Sequence, residues 1–353
     1  MEELGFSGKI TQIINTQELE GFELGRVVVE HKERYSVQTN QGVFSAEITG
    51  NLRYSASSRA DFPAVGDWVK LTLMDSESAV ILEVLPRTTK LERRAVGRSG
   101  EVQIIAVNID FAFIVQSVGH DFNLKRIERY LSICNSAGIE PIILLTKIDL
   151  IEANEINSLL SAIRERIREV PVLELSSKTT EGYHTLKKIL KKSATYCFLG
   201  SSGVGKSTII NHLKGQEVQK TSEVSISTSK GKHTTSHREL FVLPNKSIVI
   251  DTPGMREIGM IDDRTGIELT YQGIESLSKL CKFNNCSHLD EVGCAVLEAL
   301  EAGKLSSDVY DNYQKLQREQ AHFARTVAEK RKKGKAQGKL YKAIQAARRK
   351  NKY

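Results

Sequence analysis

The chain carries the pattern G-x-x-x-x-G-K-S between Gly200 and Ser207. In such a loop the glycines let backbone N–H groups turn inward around phosphate oxygens, Lys206 reaches the β and γ phosphates, and Ser207 ligates Mg²⁺. An apolar segment precedes the loop and a helical one follows it, a context that argues against a chance match in a turn. The predicted phosphate-binding residues are Gly200, Ser201, Ser202, Gly203, Val204, Gly205, Lys206, Ser207 and Thr208.

Two short motifs upstream of this loop have the chemistry to read a guanine base. The carboxylate of Asp149, in a T-K-x-D motif, can accept from guanine N1–H and the 2-amino group, a donor pair that adenine lacks. The stem of Lys147 would cover one face of the base, and an S-S-K motif would aim a backbone N–H at O6. The predicted base-binding residues are Thr146, Lys147, Asp149, Ser176, Ser177 and Lys178.

A D-T-P-G motif downstream of the loop supplies further groups for the phosphate end. We expect Asp251 to hold Mg²⁺ through water and the N–H of Gly254 to meet the γ-phosphate, which makes the following segment a switch. The next residue, Met255, stands where Ras-like enzymes have the Gln that orients the attacking water. Because a thioether cannot orient water, we expect slow intrinsic hydrolysis.

The sequence G-K-H-T-T lies between the phosphate loop and D-T-P-G, where the other switch belongs. Either Thr234 or Thr235 would ligate Mg²⁺, and His233 is the candidate for orienting water. On the residues alone, a solvated loop histidine is the alternative.

Three cysteines and one histidine crowd into fourteen residues near the C-terminal end, as Cys281-x4-Cys286-x-His288-x5-Cys294. Three thiolates and an imidazole form a closed tetrahedral set for structural zinc, because no ligand position is left for water. The other two cysteines, Cys134 and Cys197, fall in a predicted helix and strand and read as buried apolar fillers.

Length and composition describe an ordinary globular protein. The 353 residues allow two or three domains, with 40% hydrophobic and 26% charged residues. No apolar run approaches the ~20 residues that span a bilayer, and the first residues have no signal-peptide pattern. We therefore expect a cytoplasmic protein without membrane contact, by default a monomer.

The net charge of +7 is concentrated at one end. Eleven of the 50 Lys and Arg lie from Lys330 to Lys352 with no acid among them, which leaves 39 basic against 43 acidic residues elsewhere. Such a block is usually a solvated, disordered end, but its density favours a polyanion partner.

Three segments must position these groups. Residues 1–95 contain short β-branched and aromatic stretches and predict a small closed barrel of the OB kind, with a β-sandwich as the alternative. Residues 96–260 alternate apolar strands with amphipathic helices and predict a mostly parallel α/β sheet, each motif following a strand. Residues 261–353 read as a polar helical segment that holds the cysteine cluster and ends in the basic tail.

The order of the motifs, base-reading first and phosphate-binding second, is that of a GTPase whose chain is circularly permuted. With the G-K-H-T-T switch, the leading barrel and the trailing cysteine cluster, the chain resembles the family of ribosome small-subunit-dependent GTPase A over nearly its whole length. Slight departures are Glu223, where Asp is commoner, and Thr146, where Asn usually ties the base motif to the phosphate loop. We expect a somewhat looser site from Thr146, without loss of specificity.

The resemblance implies an OB–GTPase–zinc protein that acts late in maturation of the small (30S) ribosomal subunit, contacts its rRNA and is stimulated by it to hydrolyse GTP. In that family the switch histidine is regarded as catalytic, which supports His233, and the same four zinc ligands are implied. Alternatives are an RNA-binding GTPase that acts on another ribonucleoprotein or RNA-modifying partner, and an RNA-binding scaffold with a merely structural nucleotide pocket.

Overall fold

The computed structural model describes residues 1–6, 10, 21–31, 34–94, 102–215, 238–252, 264–325 and 329. The chain divides into two compact units, one joining Met1–Glu92 to Ile104–Ile258 and the other joining Arg93–Gln103 to Gly259–Tyr353. Within the described ranges, no helix has the length and apolar character needed to cross a membrane.

Five short strands at the start of the first unit close into a barrel. They are β1 (Glu23–His31), β2 (Arg34–Gln38), β3 (Val43–Ile48), β4 (Trp68–Leu73) and β5 (Ser78–Val84). Since β1 pairs with both β2 and β4, the order β1-β2-β3-β5-β4 returns to β1 and leaves no open side. Alternate residues face inward, and Val27, Val37, Ala46, Leu71 and Ile81 are fully buried. The predicted closed barrel is confirmed, and the sandwich alternative is excluded.

A short helix, α1 (Gly50–Ser55), follows β3. The hydroxyl of Thr49 accepts from the N–H of Leu52 at 3.1 Å and caps its amino end. This helix was not predicted, because six residues are too few to show helical periodicity.

A two-stranded ladder of β6 (Lys90–Arg94) and β7 (Val102–Val107) comes next in the chain. The guanidinium of Arg93 donates to Oε1 of Gln103 from two nitrogens, at 3.2 and 3.1 Å. The strand at 90–94 was not predicted, because charged residues predominate there.

The nucleotide motifs lie on a second group of six strands. They are β8 (Phe111–Ser117), β9 (Glu140–Thr146), β10 (Val172–Leu175), β11 (Thr195–Leu199), β12 (Glu239–Val242) and β13 (Ile248–Asp251). Their order is β10-β9-β8-β11-β13-β12, parallel except for β12, which runs antiparallel to β13. Every residue of β8 and β11 is buried. The predicted, mostly parallel α/β sheet is confirmed.

Four helices connect these strands: α2 (Leu124–Ala137), α3 (Ala153–Arg166), α4 (Tyr183–Ile189) and α5 (Lys206–Lys214). The side chain of Asn123 caps α2 by accepting from the N–H of Arg126 at 3.0 Å, and Gly138, at φ +68°, ends it. All four fall within residues 96–260, where the sequence predicts amphipathic helices alternating with strands.

Buried hydrogen bonds of one arginine connect the barrel to the parallel sheet within the first unit. Arg26 of β1 is 1% exposed and donates to the hydroxyl of Thr195 at 3.0 Å and to the carbonyl of Asn108 at 3.2 Å. Burial lowers the pKa of Arg26 to about 10, opposed by the charge of Asp110, so the guanidinium stays charged near neutral pH. Because Thr195 begins β11, the barrel is fastened to the strand that enters the phosphate loop.

From residue 264 to 325 the second unit contains four helices, with turns and irregular chain between Ser278 and Ala295. Its helices are α6 (Arg264–Thr270), α7 (Gln272–Ser278), α8 (Ala295–Glu301) and α9 (307–325). Ile267, Ile274 and Val296 are buried at its centre, and the rings of Tyr271 and Tyr313 meet edge to face at 5.5 Å. The predicted helical C-terminal region is confirmed over this range.

Candidate nucleotide site and metal-ligand cluster

The phosphate loop joins the carboxyl end of β11 to the amino end of α5. Gly200 follows β11 with φ +155°, and a Cβ there would lie 2.4 Å from the carbonyl oxygen of Val115, so the position requires glycine. Gly205, at φ +98°, stands immediately before α5. The loop therefore turns around the start of a helix, where free N–H groups and the helix dipole favour phosphate.

Lys206 folds back over its own loop. Its ammonium donates to the carbonyl oxygens of Gly200 at 2.7 Å and Ser201 at 2.6 Å. These contacts hold a positive charge against the loop, where it can neutralise phosphate oxygens. Ser207, in the first turn of α5, is exposed, so its hydroxyl is accessible to a ligand.

A tyrosine of α2 also contacts the phosphate loop. Tyr130 is 4% exposed and its hydroxyl is hydrogen-bonded to the side chain of Ser201. Burial raises the pKa of Tyr130, against the opposing effect of Arg126, so the phenol stays neutral. Its role was not predictable from the sequence, because a tyrosine on an amphipathic helix is usually a core residue.

Thr146 ties the first base motif to the phosphate loop. Its hydroxyl donates to the carbonyl oxygen of Val204 at 2.7 Å. Thr146 is 4% exposed and faces Ser117 of β8 in the parallel register. The contact that we expected to be weakened by the absence of Asn is therefore present.

The two base motifs meet directly. Thr146 faces Leu175 in the register of β9 and β10, so the residues that follow each strand lie side by side. The hydroxyl of Ser176, which is fully buried, donates to Oδ1 of Asp149 at 2.6 Å. Asp149 is exposed, so its carboxylate is anchored at one oxygen and accessible to a base. Lys147 has φ +61°, a left-handed conformation at the turn between them.

Asp251 lies at the phosphate end. It is the last residue of β13, which runs parallel to β11 with Ile250 facing Cys197, so its backbone reaches the same edge of the sheet as the phosphate loop. The other residues discussed for this end, His233, Thr234, Thr235, Gly254 and Met255, lie outside the described residues, as does Glu223, the departure from the family pattern.

The four predicted metal ligands come together in the second unit. The ligand atoms of Cys281, Cys286, His288 and Cys294 all lie within 4.8 Å of one another. Sγ of Cys281 is 3.9 Å from Sγ of Cys294, and Nδ1 of His288 is 3.6 and 3.4 Å from those two sulfurs. Tetrahedral zinc, with Zn–S of about 2.3 Å and Zn–N of about 2.0–2.1 Å, requires separations of about 3.8 and 3.5 Å. The donor set and its spacing therefore fit zinc.

Glu291 holds the loop of metal ligands in place, a role that no sequence pattern indicated. Its carboxylate accepts from the N–H and hydroxyl of Ser287 at 2.7 and 2.6 Å and from the N–H of Leu289 at 3.1 Å. These hydrogen bonds, those from Ser287 first, hold the pKa of Glu291 well below its usual range. Both donors flank His288, whose φ of +58° is left-handed, so Glu291 fixes the turn that presents the imidazole.

The remaining two cysteines, Cys134 and Cys197, are fully buried. Burial raises the pKa of both thiols, to about 12 for Cys197. The prediction that they are buried fillers is confirmed.

Comparison with known proteins gives one consistent family. A profile of the RsgA GTPase family matches residues 84–261. A Listeria innocua protein described as small ribosomal subunit biogenesis GTPase RsgA 1 is 44% identical over 301 residues, 85% of this chain and 84% of that protein. A Vibrio vulnificus protein, small ribosomal subunit biogenesis GTPase RsgA 2, is 38% identical over 350 residues, 99% of this chain and 96% of that protein.

Two solved structures have a similar fold. The crystal structure of YjeQ from Thermotoga maritima superposes with a TM-score of 0.64 at 25% identity, covering 85% of this chain and 99% of that one. YloQ, described as a circularly permuted GTPase, gives a TM-score of 0.62 at 26% identity, covering 85% and 96%.

Proposed function

Because the chain belongs to the RsgA GTPase family, and is therefore a GTP-hydrolysing enzyme, we propose that it binds the small (30S) ribosomal subunit, assists the late maturation of that subunit and leaves after hydrolysis. The names of its relatives, small ribosomal subunit biogenesis GTPases, support this partner.

The single observation that best supports the nucleotide assignment is the bond between Ser176 and Asp149. This hydrogen bond joins the two base motifs, and the hydrogen bond from Thr146 to Val204 joins the first of them to the phosphate loop. The three motifs therefore lie together, although they are far apart in the chain. Asp149 would read N1–H and the 2-amino group of guanine, and Lys147 would cover the base.

At the phosphate end, the loop from Gly200 to Thr208 would surround the phosphates, with Lys206 neutralising their charge. The hydroxyls of Ser207 and of Thr234 or Thr235 would hold Mg²⁺, with Asp251 acting through water. These hard oxygen donors suit that ion, which supplies charge to stabilise the transferring phosphoryl group. The N–H of Gly254 would meet the γ-phosphate and make the following segment a switch.

Hydrolysis would depend on His233, which would orient the attacking water. Met255 cannot do so, since its thioether neither donates nor accepts usefully. The intrinsic rate is then low, and docking on the subunit would place His233 productively.

The thiolate cluster would hold one structural zinc ion through Cys281, Cys286, His288 and Cys294. The measured separations suit a closed tetrahedral site. With all four positions filled by protein, the ion would stabilise the ligand loop and take no part in GTP chemistry.

We assign RNA contact to the barrel segment 1–95 and to the metal segment 261–353, which flank the GTPase segment 96–260. The eleven cations from Lys330 to Lys352 would contact rRNA phosphates and make binding strongly salt-dependent. The protein would act as a monomer in the cytoplasm, without membrane contact.

The test is cosedimentation of the purified chain with each ribosomal subunit, with GDP or a non-hydrolysable GTP analogue, alongside GTP turnover at rising salt. We expect recovery with the small subunit in the GTP-analogue state and stimulated turnover at low salt. No stimulation by small subunits at low salt contradicts the proposed partner, and recovery of a different RNA would favour another ribonucleoprotein.

A further inference from the structure

The loop that carries Ser176, Ser177 and Lys178 is held at two points. At the first, Oγ of Ser176 accepts from the N–H groups of Lys178 and Thr179 at 3.2 and 3.1 Å. Those two N–H groups are therefore occupied. Among the described residues the N–H of Ser177 has no acceptor, so it is the amide of this motif best able to donate to guanine O6.

The second point is the side chain of Ser177. Its hydroxyl lies 2.7 Å from the hydroxyl of Tyr183, at hydrogen-bond distance. Tyr183 is 2% exposed and is the first residue of α4. Gly182 precedes it with φ +79°, and a Cβ there would lie 1.9 Å from the carbonyl oxygen of Glu174. The tight turn therefore fixes Tyr183 beside the loop.

Tyr183 is also packed against the phosphate-binding helix. Its ring centroid lies 3.8 Å from that of His212 in α5. It shares a buried cluster with Ile210 and Leu213 of the same helix. One side chain thus connects the base-reading loop to the helix that begins at Lys206.

We propose that Tyr183 is a positioning residue for guanine recognition, which holds the Ser177 N–H toward O6 through the Ser177 hydroxyl. Tyr183 acts only through Ser177 and does not contact the nucleotide. The proposal rests on the assignment of this motif to O6, and it gives the serine at the middle of S-S-K a purpose that alanine could not serve.

The test is Tyr183→Phe in the full chain, which removes the hydroxyl and keeps the ring against His212. Binding of GDP, 6-thio-GDP and IDP is measured by titration. In 6-thio-GDP a sulfur, a poor acceptor, replaces O6 while N1–H and the 2-amino group remain. IDP lacks only the 2-amino group, which Asp149 reads.

We expect the preference for GDP over 6-thio-GDP to fall by roughly two- to tenfold, the worth of one hydrogen bond. GDP binding loses the hydrogen bond from the aligned Ser177 N–H to O6. Binding of 6-thio-GDP changes little, because its sulfur already accepts that hydrogen bond poorly. The preference for GDP over IDP should stay at the wild-type value. Ser177→Ala should match Tyr183→Phe, and the double variant should show no further loss.

The matched control is Tyr196→Phe. Tyr196 is fully buried in the same core, but its hydroxyl accepts from the N–H of Lys191 and donates to the carbonyl of Ile189, away from the base loop. The Tyr196→Phe variant should keep the wild-type preferences for GDP over 6-thio-GDP and for GDP over IDP.

Equal weakening of GDP and 6-thio-GDP by Tyr183→Phe, or wild-type preferences in that variant, would overturn the proposal. A wild-type protein that binds GDP and IDP equally would instead overturn the base-reading assignment on which the proposal rests.

Discussion

The guanidinium of Arg26 donates to the hydroxyl of Thr195, 3.0 Å away, across the boundary between the barrel and the parallel sheet. The same side chain donates to the backbone carbonyls of Leu4, Gly66 and Asn108. One buried cation therefore fastens the N-terminal segment, the barrel and the strand of the phosphate loop to one another.

Arg26→Met should destabilise the first unit by about 3–5 kcal/mol, because it leaves buried acceptors without a donor and Asp110 without a counter-charge. Urea unfolding measures the change. Arg34→Met is the control: it removes an arginine of the same barrel that is 74% exposed and paired with Glu47, and it should cost less than about 1 kcal/mol. Equal changes in the free energy of unfolding of the two variants would contradict a structural role for the buried hydrogen bonds of Arg26.

Asp149→Asn should lower the affinity for GDP by at least about a hundredfold and raise the affinity for xanthosine diphosphate. The amide keeps an oxygen that can accept from Ser176, so the loop should hold its shape while the hydrogen-bonding pattern toward the base changes. Competition against a fluorescent nucleotide measures both. Unchanged GDP binding would refute the base-reading role of this carboxylate.

Tyr130→Phe should weaken GDP binding by roughly two- to tenfold, because Ser201 of the phosphate loop loses its hydrogen-bond partner. Guanosine, which has no phosphate, serves as the internal control, and its affinity should not change. A parallel loss for guanosine would show that the hydroxyl supports the fold and not the phosphate loop.

His233→Ala should leave nucleotide affinity nearly intact and lower small-subunit-stimulated turnover by about a hundredfold or more, the usual contribution of a residue that handles the attacking water. His120→Ala, at an exposed position in the first unit, is the control and should behave as wild type. Wild-type stimulated turnover in His233→Ala would remove this residue from the mechanism.

Treating the unfolded protein with a thiol-reactive reagent and a zinc dye should release about one metal ion per chain. The Glu291→Ala variant should lose zinc at a chelator concentration about 10–100-fold lower than the wild-type protein requires. The reason is that the turn around His288 loses its hydrogen bonds to the Glu291 carboxylate. Glu301→Ala, exposed on α8, is the matched control. If the wild-type protein released no zinc, the assignment of a zinc ion to the four ligands would be wrong.

Motifs with fixed spacing were the most predictable part of the molecule. The phosphate loop, the cysteine cluster and the strand–helix alternation are local patterns, and the positions of Gly200, Asp149 and Cys281 follow from them. The strands of the barrel were predictable from their short β-branched and aromatic stretches, whereas the choice of a barrel over a sandwich depends on the pairing of β1 with both β2 and β4.

Contacts made in three dimensions were not predictable from local pattern. Arg26 lies between apolar strand residues and nothing nearby in the sequence announces that it is buried. Tyr130 and Tyr183 read as core residues, yet each hydroxyl is hydrogen-bonded to a serine of a predicted nucleotide-binding loop. The tie from Thr146 depends on how closely β9 approaches Val204, a distance that no residue type specifies.

The pairing of β1 with β12, through Val29 and Glu239, places the barrel against one edge of the six-stranded group. Strand β12 is one of the two outer strands of the six that carry the nucleotide motifs, the other being β10, and an uncovered outer strand offers unpaired N–H and carbonyl groups to other chains. The barrel lies against that border, with Arg238 and Glu30 forming an ion pair beside it at 3.4 Å. The GTPase segment severed from its barrel would therefore be prone to aggregate.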